Sequence, residues 1–479
     1  MNEVINKSEA MKDLDPIASF INLKKNFPEA FFFQSHDLEG KLNLSIIGLD
    51  RFETLTFVGN QTVIETVVES RDENKIERKV IEGNFLQNLS LKLKSYHNCK
   101  SQIPYSLGGA FGCIGYEMVA QMEKSLQKNG FFKTSIDHNE VEAEIYFSKN
   151  LIVFEHKKKL IHFNLSNITV STIDLSLEKN VPLVEKNVTQ VKFDQYLPTM
   201  GKKQFLQSVA ILKEHIAAGN IFQAVLSERF ERPCHLPALN LFQEAKRHCP
   251  SAYSFYFDFK ASSFFGFSPE VFLKIEKGVL ETHPIAGTMP RGATTILDNQ
   301  NAEILNQSVK EGAEHLMLVD LARNDLGRVA IPGSVKVTEF RKLLKLSNVM
   351  HLVSVVKAKQ SPEQDNVAAF TSCFPAGTLS GAPKIRAMEI LSELESRPRG
   401  FYGGAIVAFD HTGDLDSCIA IRSVEVKEGK VILRAGAGIV ADSIAENEYL
   451  EIEHKLKALV QVIDKAHQQN EKENFQVAL

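Results

Sequence analysis

The chain has 479 residues, more than one average core serves, with 44% hydrophobic residues, 24% charged residues and a formal net charge of −4. This balance, without any block of like charge, leaves no footprint for nucleic acid or an anionic membrane as partner. No apolar run approaches the roughly 20 residues of a membrane helix, and the polar start MNEVINKSEAMKDLD lacks the apolar centre of a signal peptide.

In chain order, EAFFFQS, KLNLSIIGLD and TLTFVGNQTVIETVVES within residues 29–70 read as short strands rich in Phe, Ile, Val and Thr. SLGGAFGCIGYEM at 106–118 reads as a strand or buried turn, and LIVFEHKKKLIHFNLS as a hairpin. Periodicity fades around 165–200, which predicts a boundary between an N-terminal region (15–165) and a second region (195–465), the two intimately packed. A helix follows in KKQFLQSVAILKEHIAAGN, with Phe205, Val209, Leu212 and Ile216 on one face and Gly219 ending it. IFQAVLSERF reads as a strand, with Phe222, Ala224, Leu226 and Phe230 on one side and Gln223, Val225, Ser227 and Arg229 on the other. Strict βαβ alternation is absent, as are a GxxxxGK[ST] loop and a GxGxxG opening a helix, so an α+β fold with antiparallel sheets is expected.

The cysteines at 99, 113, 234, 249, 373 and 418 contain no CxxC pair, which removes a zinc ribbon or redox dithiol and suits reduced thiols in a cytoplasmic protein. Two acidic helices are candidates for chemistry. In KEGAEHLMLVDLARNDLGRV, Glu311 and Glu314 share a face, and Leu316, Val319 and Leu326 have core-facing spacing. In SIAENEYLEIEHKLKALVQVI, Ser443 and Glu446 form a capping box. Ile452, Leu456, Leu459 and Ile463 make the buried stripe, and Glu448, Glu451 and Lys455 lie on another face. Glutamates on helices are most often solvated, but two such helices could also hold Mg²⁺. FPAGTLSGAPK, YGGAIVAFD and RAGAGIVADS read as tight loops, whose successive N–H groups can bind anions. Arg422 lies mid-strand among apolar residues and wants a carboxylate or phosphate; His351 is similarly flanked.

PIAGTMPRG, AEHLMLVDLARNDLGRV, FPAGTLSGAPK, YGGAIVAFD and GAGIVADS occur in the order and spacing of the chorismate-utilising enzymes, and the pattern resembles anthranilate synthase component I. The resemblance implies two orthogonally packed antiparallel β-sheets flanked by helices in four layers. It implies that Glu314 and Glu451 bind Mg²⁺, which holds the ring carboxylate of chorismate. Arg422 and Tyr402 would hold the pyruvyl carboxylate, with Gly436, Ala437 and Gly438 beside it. Gly287, Thr288 and Lys455 would contact substrate, His351 would move a proton, and Thr378 would support the site.

Within that family, isochorismate and salicylate synthases carry a water-activating lysine where this chain has Gln223, and aminodeoxychorismate synthases carry a lysine in place of Ala286. A neutral amide is no base, so Gln223 points to ammonia as nucleophile. The implied reaction forms anthranilate and pyruvate as a step of tryptophan biosynthesis, with ammonia from glutamine through a separate glutamine amidotransferase subunit. Aminodeoxyisochorismate or aminodeoxychorismate synthesis is the sibling alternative, and an inactive chorismate- or amino-acid-binding regulator the alternative outside enzymes. The family's tryptophan-inhibited members carry LLES and NPSPYM; this chain has FFQS and CPSAYS. Ser35, Pro250, Ser251 and Tyr253 keep that pattern and the other positions differ. The resemblance implies Ser35, Ala252, Tyr253 and Ser254 as effector contacts, with weakened tryptophan feedback, or anthranilate feeding a secondary pathway, as the alternative. Met289 and Asn220 also depart from the family's TRPRG and GDIFQ.

Overall fold

The computed structural model describes residues 4–11, 14–69, 74–96, 103–106, 108–129, 140–166, 168, 173, 175, 193–345 and 349–477. Among these, two antiparallel sheets of 12 strands each dominate. Both expected regions contribute to both sheets. Strand Phe31–His36 pairs with Tyr253–Asp258 in the first sheet, and Gly109–Ile114 pairs with Ala405–Asp410 in the second. Most of the predicted boundary near 165–200 lies outside the described residues.

Three cores define the layers. Phe31, Phe33, Tyr253, Phe255 and Phe257 of the first sheet meet Phe111, Cys113, Tyr146, Ile406 and Cys418 of the second, which forms the layer between the sheets. The outer face of the first sheet is covered by helices Pro16–Lys24, Lys202–Ala217, Ala238–His248, Lys384–Leu394 and Ala445–Val477. The outer face of the second is covered chiefly by Phe85–Tyr96, Val309–Gly327 and Asn366–Cys373. The result is the expected α+β stack of helices, sheet, sheet and helices. Alternation explains it: a strand with apolar side chains on both faces must be covered on both.

The helix predicted after residue 200 is Lys202–Ala217, with Phe205, Val209 and Leu212 buried and Gly219 at φ +76° beyond its end. The strand Gln223–Pro233 alternates as read: Ala224, Leu226 and Phe230 join the helix-covered core, leaving Gln223, Val225, Ser227 and Arg229 on the inter-sheet side. Several local expectations need correction. Phe222 is 70% exposed because it precedes the strand and escapes the alternation. Leu316 is 50% exposed, while Val319 and Leu326 are buried as expected. The last helix begins at Ala445, so Ser443 is not its cap; its hydroxyl instead accepts the Val440 N–H at 3.0 Å. RAGAGI is no loop but the end of strand Lys430–Ile439, which pairs with Gln223–Pro233. The cysteines at 113, 234, 249, 373 and 418 are free thiols, all but Cys249 buried; Cys99 lies outside the described residues.

Candidate functional site

The ends of four strands, two from each sheet, bring the distant motifs together. Gln223 opens strand Gln223–Pro233, and Gly436 and Gly438 close its partner Lys430–Ile439. From the second sheet, Ile285–Pro290 carries Gly287 and Thr288 beside Val349–Lys359, which carries His351; Thr288 and His351 are register partners. Helix Val309–Gly327 brings Glu314, and helix Ala445–Val477 brings Glu451 and Lys455.

Gln223 is 4% exposed, and its Nε2 donates to Glu314 Oε1 at 3.1 Å. Its Oε1 is buried without a hydrogen-bond partner among the described residues. Gly438 makes this placement possible, because a Cβ there would stand 2.7 Å from Gln223 Nε2. The Glu314 carboxyl is raised above its ordinary pKa by burial first, then by the negative charges of Glu311 and Glu451. The two predicted carboxylates therefore share one electrostatic neighbourhood. Lys455 Nζ pairs with Glu451 at 2.6 Å and donates to Gly436 O at 2.8 Å. A cation already balances this acidic corner. Among the described residues no three His, Cys, Asp or Glu side chains converge as a complete metal cage. Two carboxylates fit Mg²⁺, which takes one or two protein carboxylates and fills its octahedron with water and substrate oxygens.

Arg422 is not mid-strand. It occupies the turn just before strand Ser423–Lys427 at φ +51°, and its Nη1 donates to the carbonyl of Lys455. That turn takes the side chain out of the strand's alternation and against the last helix, where burial lowers its pKa. Tyr402 stands in the turn before Ala405–Asp410, 7% exposed; burial pushes its phenol up to about 12. A Cβ on Gly436 would stand 3.2 Å from Tyr402 Oη, so phenol and strand end face the same space. Ala437 differs from its glycine neighbours: its methyl packs into the helix-covered core, leaving its backbone as the part available to a ligand.

His351 Nδ1 lies 3.1 Å from Gly287 O and 3.1 Å from Thr288 Oγ1. A carbonyl only accepts, so Nδ1 carries the proton and Nε2 is the basic nitrogen. Burial lowers the His351 pKa, with Arg422 adding to the effect. The loop supplying that carbonyl depends on Gly287, at φ +74°, where a side chain would also meet Leu305 at 3.0 Å and Glu311 at 3.1 Å.

Thr378 donates to Glu270 Oε1 at 2.8 Å. Glu270 is absent from the sequence reading, yet burial raises its carboxyl to about 7, opposed by the Thr378 hydrogen bond and Lys455. It lies between strands in FFGFSPEVF, where no periodicity marks it; the only sequence signal is a lone acid in an apolar run.

Ser35, Tyr253 and Ser254 form a separate group on the paired strands Phe31–His36 and Tyr253–Asp258, with Ala252 just before the second strand. Ser35, Tyr253 and Ser254 are fully buried, and Ser35 Oγ has no hydrogen-bond partner among the described residues. Tyr253 Oη donates to Asp416 at 2.7 Å, and Ser254 Oγ accepts from Lys246 Nζ at 3.3 Å.

A family model described as chorismate binding enzyme matches residues 29–461. Anthranilate synthase component 1 of Bacillus subtilis (strain 168) is 36% identical over 427 residues, 83% of this chain and 82% of that protein. The crystal structure of anthranilate synthase component I from Streptococcus pneumoniae TIGR4 superposes with a TM-score of 0.73 at 31% identity, covering 87% of this chain and 92% of that one. MenF, the menaquinone-specific isochorismate synthase from Escherichia coli, shares the fold with a TM-score of 0.68 at 17% identity, covering 97% and 95%.

Proposed function

The chain belongs to the family of chorismate binding enzymes, and from that premise we propose that it adds ammonia to chorismate and releases anthranilate and pyruvate, the reaction of an anthranilate synthase large subunit in tryptophan biosynthesis. The observation that carries this is Gln223. Its amide N–H is taken up by Glu314, and its buried carbonyl is left without a donor among the described residues. An unpaired buried acceptor is costly, and an N–H of ammonia satisfies it while aiming the nitrogen lone pair at the ring. An amide cannot deprotonate water.

Arg422 and Tyr402 grip the side-chain carboxylate, and Lys455 neutralises charge beside the ring. Bound by Glu314 and Glu451, Mg²⁺ would supply Lewis-acid anchoring of the ring carboxylate. Glu270, neutral up to about pH 7, donates the proton that lets the ring hydroxyl leave as water. His351 Nε2 then takes the C2 proton; the electron pair forms the aromatic ring as the ring C–O bond to the enolpyruvyl group breaks, and the departing enolate takes a proton from solvent at its methylene carbon to become pyruvate. The relatives' designation as component 1 supports a separate glutaminase as ammonia source. The reading includes a cytoplasmic location; no described helix is long and apolar enough to cross a membrane. It also includes tryptophan inhibition through Ser35, Ala252, Tyr253 and Ser254.

The test is anthranilate fluorescence from purified chain, chorismate, ammonium salt and Mg²⁺, with pyruvate released in equal amount. Amino product without pyruvate would instead indicate the aminodeoxyisochorismate sibling, and chorismate binding without turnover at any ammonia concentration would indicate a regulator.

Two variants probe the roles. His351→Ala is expected to cost about 10²- to 10³-fold in kcat. Because the His351 pKa is lowered, the base is lost only as pH falls below the ordinary histidine range; the acid limb of the wild-type kcat profile should lie below about 6.5 and vanish in the variant. Gln223→Lys should lower anthranilate formation at least about tenfold and yield a hydroxylated, isochorismate-type product detectable by chromatography. Absence of that product would show that residue 223 alone does not choose the nucleophile.

A further inference from the structure

Behind Tyr402, between the sheets, three charged side chains form a closed network. Glu395 and Arg399 are each 4% exposed, and Arg434 is 6% exposed. Glu395 Oε1 accepts from Ser227 N at 2.9 Å, Ser227 Oγ at 2.8 Å and Arg399 Nη2 at 2.7 Å; Glu395 Oε2 accepts from Arg399 Nε and Arg434 Nη2, both at 2.9 Å. Burial would push the Glu395 carboxyl up, but the two guanidiniums hold it below the ordinary value. Isolating this many charges from water is expensive unless the geometry is fully satisfied. A core of apolar residues would do the structural job at lower cost.

The network's outward bonds end on parts of the candidate site. Arg399 Nη2 donates to Val225 O at 2.7 Å, two residues along the strand from Gln223, and Nη1 donates to Leu379 O, beside Thr378. Arg434 Nη1 donates to Pro398 O at 2.6 Å, bracing the turn that presents Tyr402. Its guanidinium also lies 6.0 Å from the centre of the Tyr402 ring. On strand Lys430–Ile439, Arg434 shares the inter-sheet face with Gly436, the next inward residue. Two guanidiniums face the ionised Glu395 carboxylate, while Glu117, which accepts the backbone N–H groups of Arg399 and Gly400 at 2.7 and 2.9 Å, is raised to about 7 by burial, so below that pH the cluster keeps an excess of positive charge beside the phenol. A cation near the ring draws electron density from the hydroxyl and makes it a stronger donor.

We propose that Arg434 is a positioning residue for the substrate's side-chain carboxylate, acting through Tyr402, and that Glu395 and Arg399 lock it in place. This rests on the proposed reading of the site but has its own test. Arg434→Lys, Tyr402→Phe and the double variant are compared for the KM of chorismate, the KM of ammonium and kcat. Product inhibition by anthranilate, which keeps the ring carboxylate and lacks the other, is measured alongside. Each single variant should raise the chorismate KM about tenfold, and the double variant no further than the worse single one. The KM of ammonium and the Ki of anthranilate should change less than about threefold. Multiplying effects, or an equal rise for anthranilate and chorismate, would overturn the proposal. If Arg434→Lys does not fold, Glu395→Asp, which keeps every charge, is carried through the same cycle with the same criteria. A wild-type chain that binds chorismate without making anthranilate would defeat the proposed reaction alone; the cycle would then be read from the binding constants of the two ligands.

Discussion

Glu270→Gln is expected to reduce kcat about 10²- to 10³-fold while making the protein more stable near neutral pH. The first effect follows from losing a positioned proton donor. The second follows from linkage. The Glu270 carboxyl is raised from 4.5 to about 7 by burial. Between those pH values the unfolded chain releases this proton and the folded chain keeps it, so stability falls as pH rises through that window. At 1.36 kcal/mol per pKa unit the penalty reaches at most about 3 kcal/mol above pH 7 and is absent below 4.5. Glutamine keeps an acceptor for the Thr378 hydroxyl and cannot ionise. Thermal melts of wild type and variant should therefore coincide near pH 4.5 and separate at pH 7.5, with the variant melting higher. A variant that loses stability at pH 7.5, or keeps wild-type kcat, would remove Glu270 as the acid. In the wild type, kcat should decline above about pH 7 as the acid form disappears.

Glu451→Gln should cut kcat/KM for chorismate about 10²- to 10³-fold and raise the Mg²⁺ concentration needed for half-maximal rate. A bound divalent ion contributes several kcal/mol of charge stabilisation in sites of this type, and removing an anionic ligand also releases Lys455 from its 2.6 Å pair. Glu314→Gln should behave alike, with one difference. Glu314 is raised by burial and by its acidic neighbours, so protons compete with Mg²⁺ for it. Apparent Mg²⁺ affinity should weaken as pH falls toward that raised value in the wild type, and this pH dependence should flatten in Glu314→Gln. Retained Mg²⁺-dependent turnover in Glu451→Gln would strike that residue from the ligand set.

The layers were legible because period-two strands and period-3.6 helices leave strong marks: Phe205, Val209 and Leu212 on one helix, or Ala224 and Leu226 on one strand, point where their spacing says. Errors fell at element ends, where neighbours decide. Phe222 and Ser443 sit one and two residues outside their elements, and periodicity does not report where an element stops. Arg422 looked mid-strand because its neighbours are apolar; only tertiary structure reveals the turn at φ +51°. The site motifs were legible as a set through their order along the chain. Their convergence was not, since Gln223 and Glu314 are 91 residues apart when they meet at 3.1 Å. Glu270, Glu395, Arg399 and Arg434 were missed for a common reason. A buried charge carries no pattern of its own; its meaning lies in partners that local sequence does not supply.

Calorimetric titration of chorismate into wild type and the Glu314→Gln/Glu451→Gln double variant, each with Mg²⁺ and with EDTA, tests the shared carboxylate site most directly. Wild type should bind at least about tenfold more tightly with Mg²⁺, and the double variant should bind equally under both conditions. Equal wild-type affinity with and without the ion, or a double variant that still responds to it, would contradict a divalent ion held between these two helices.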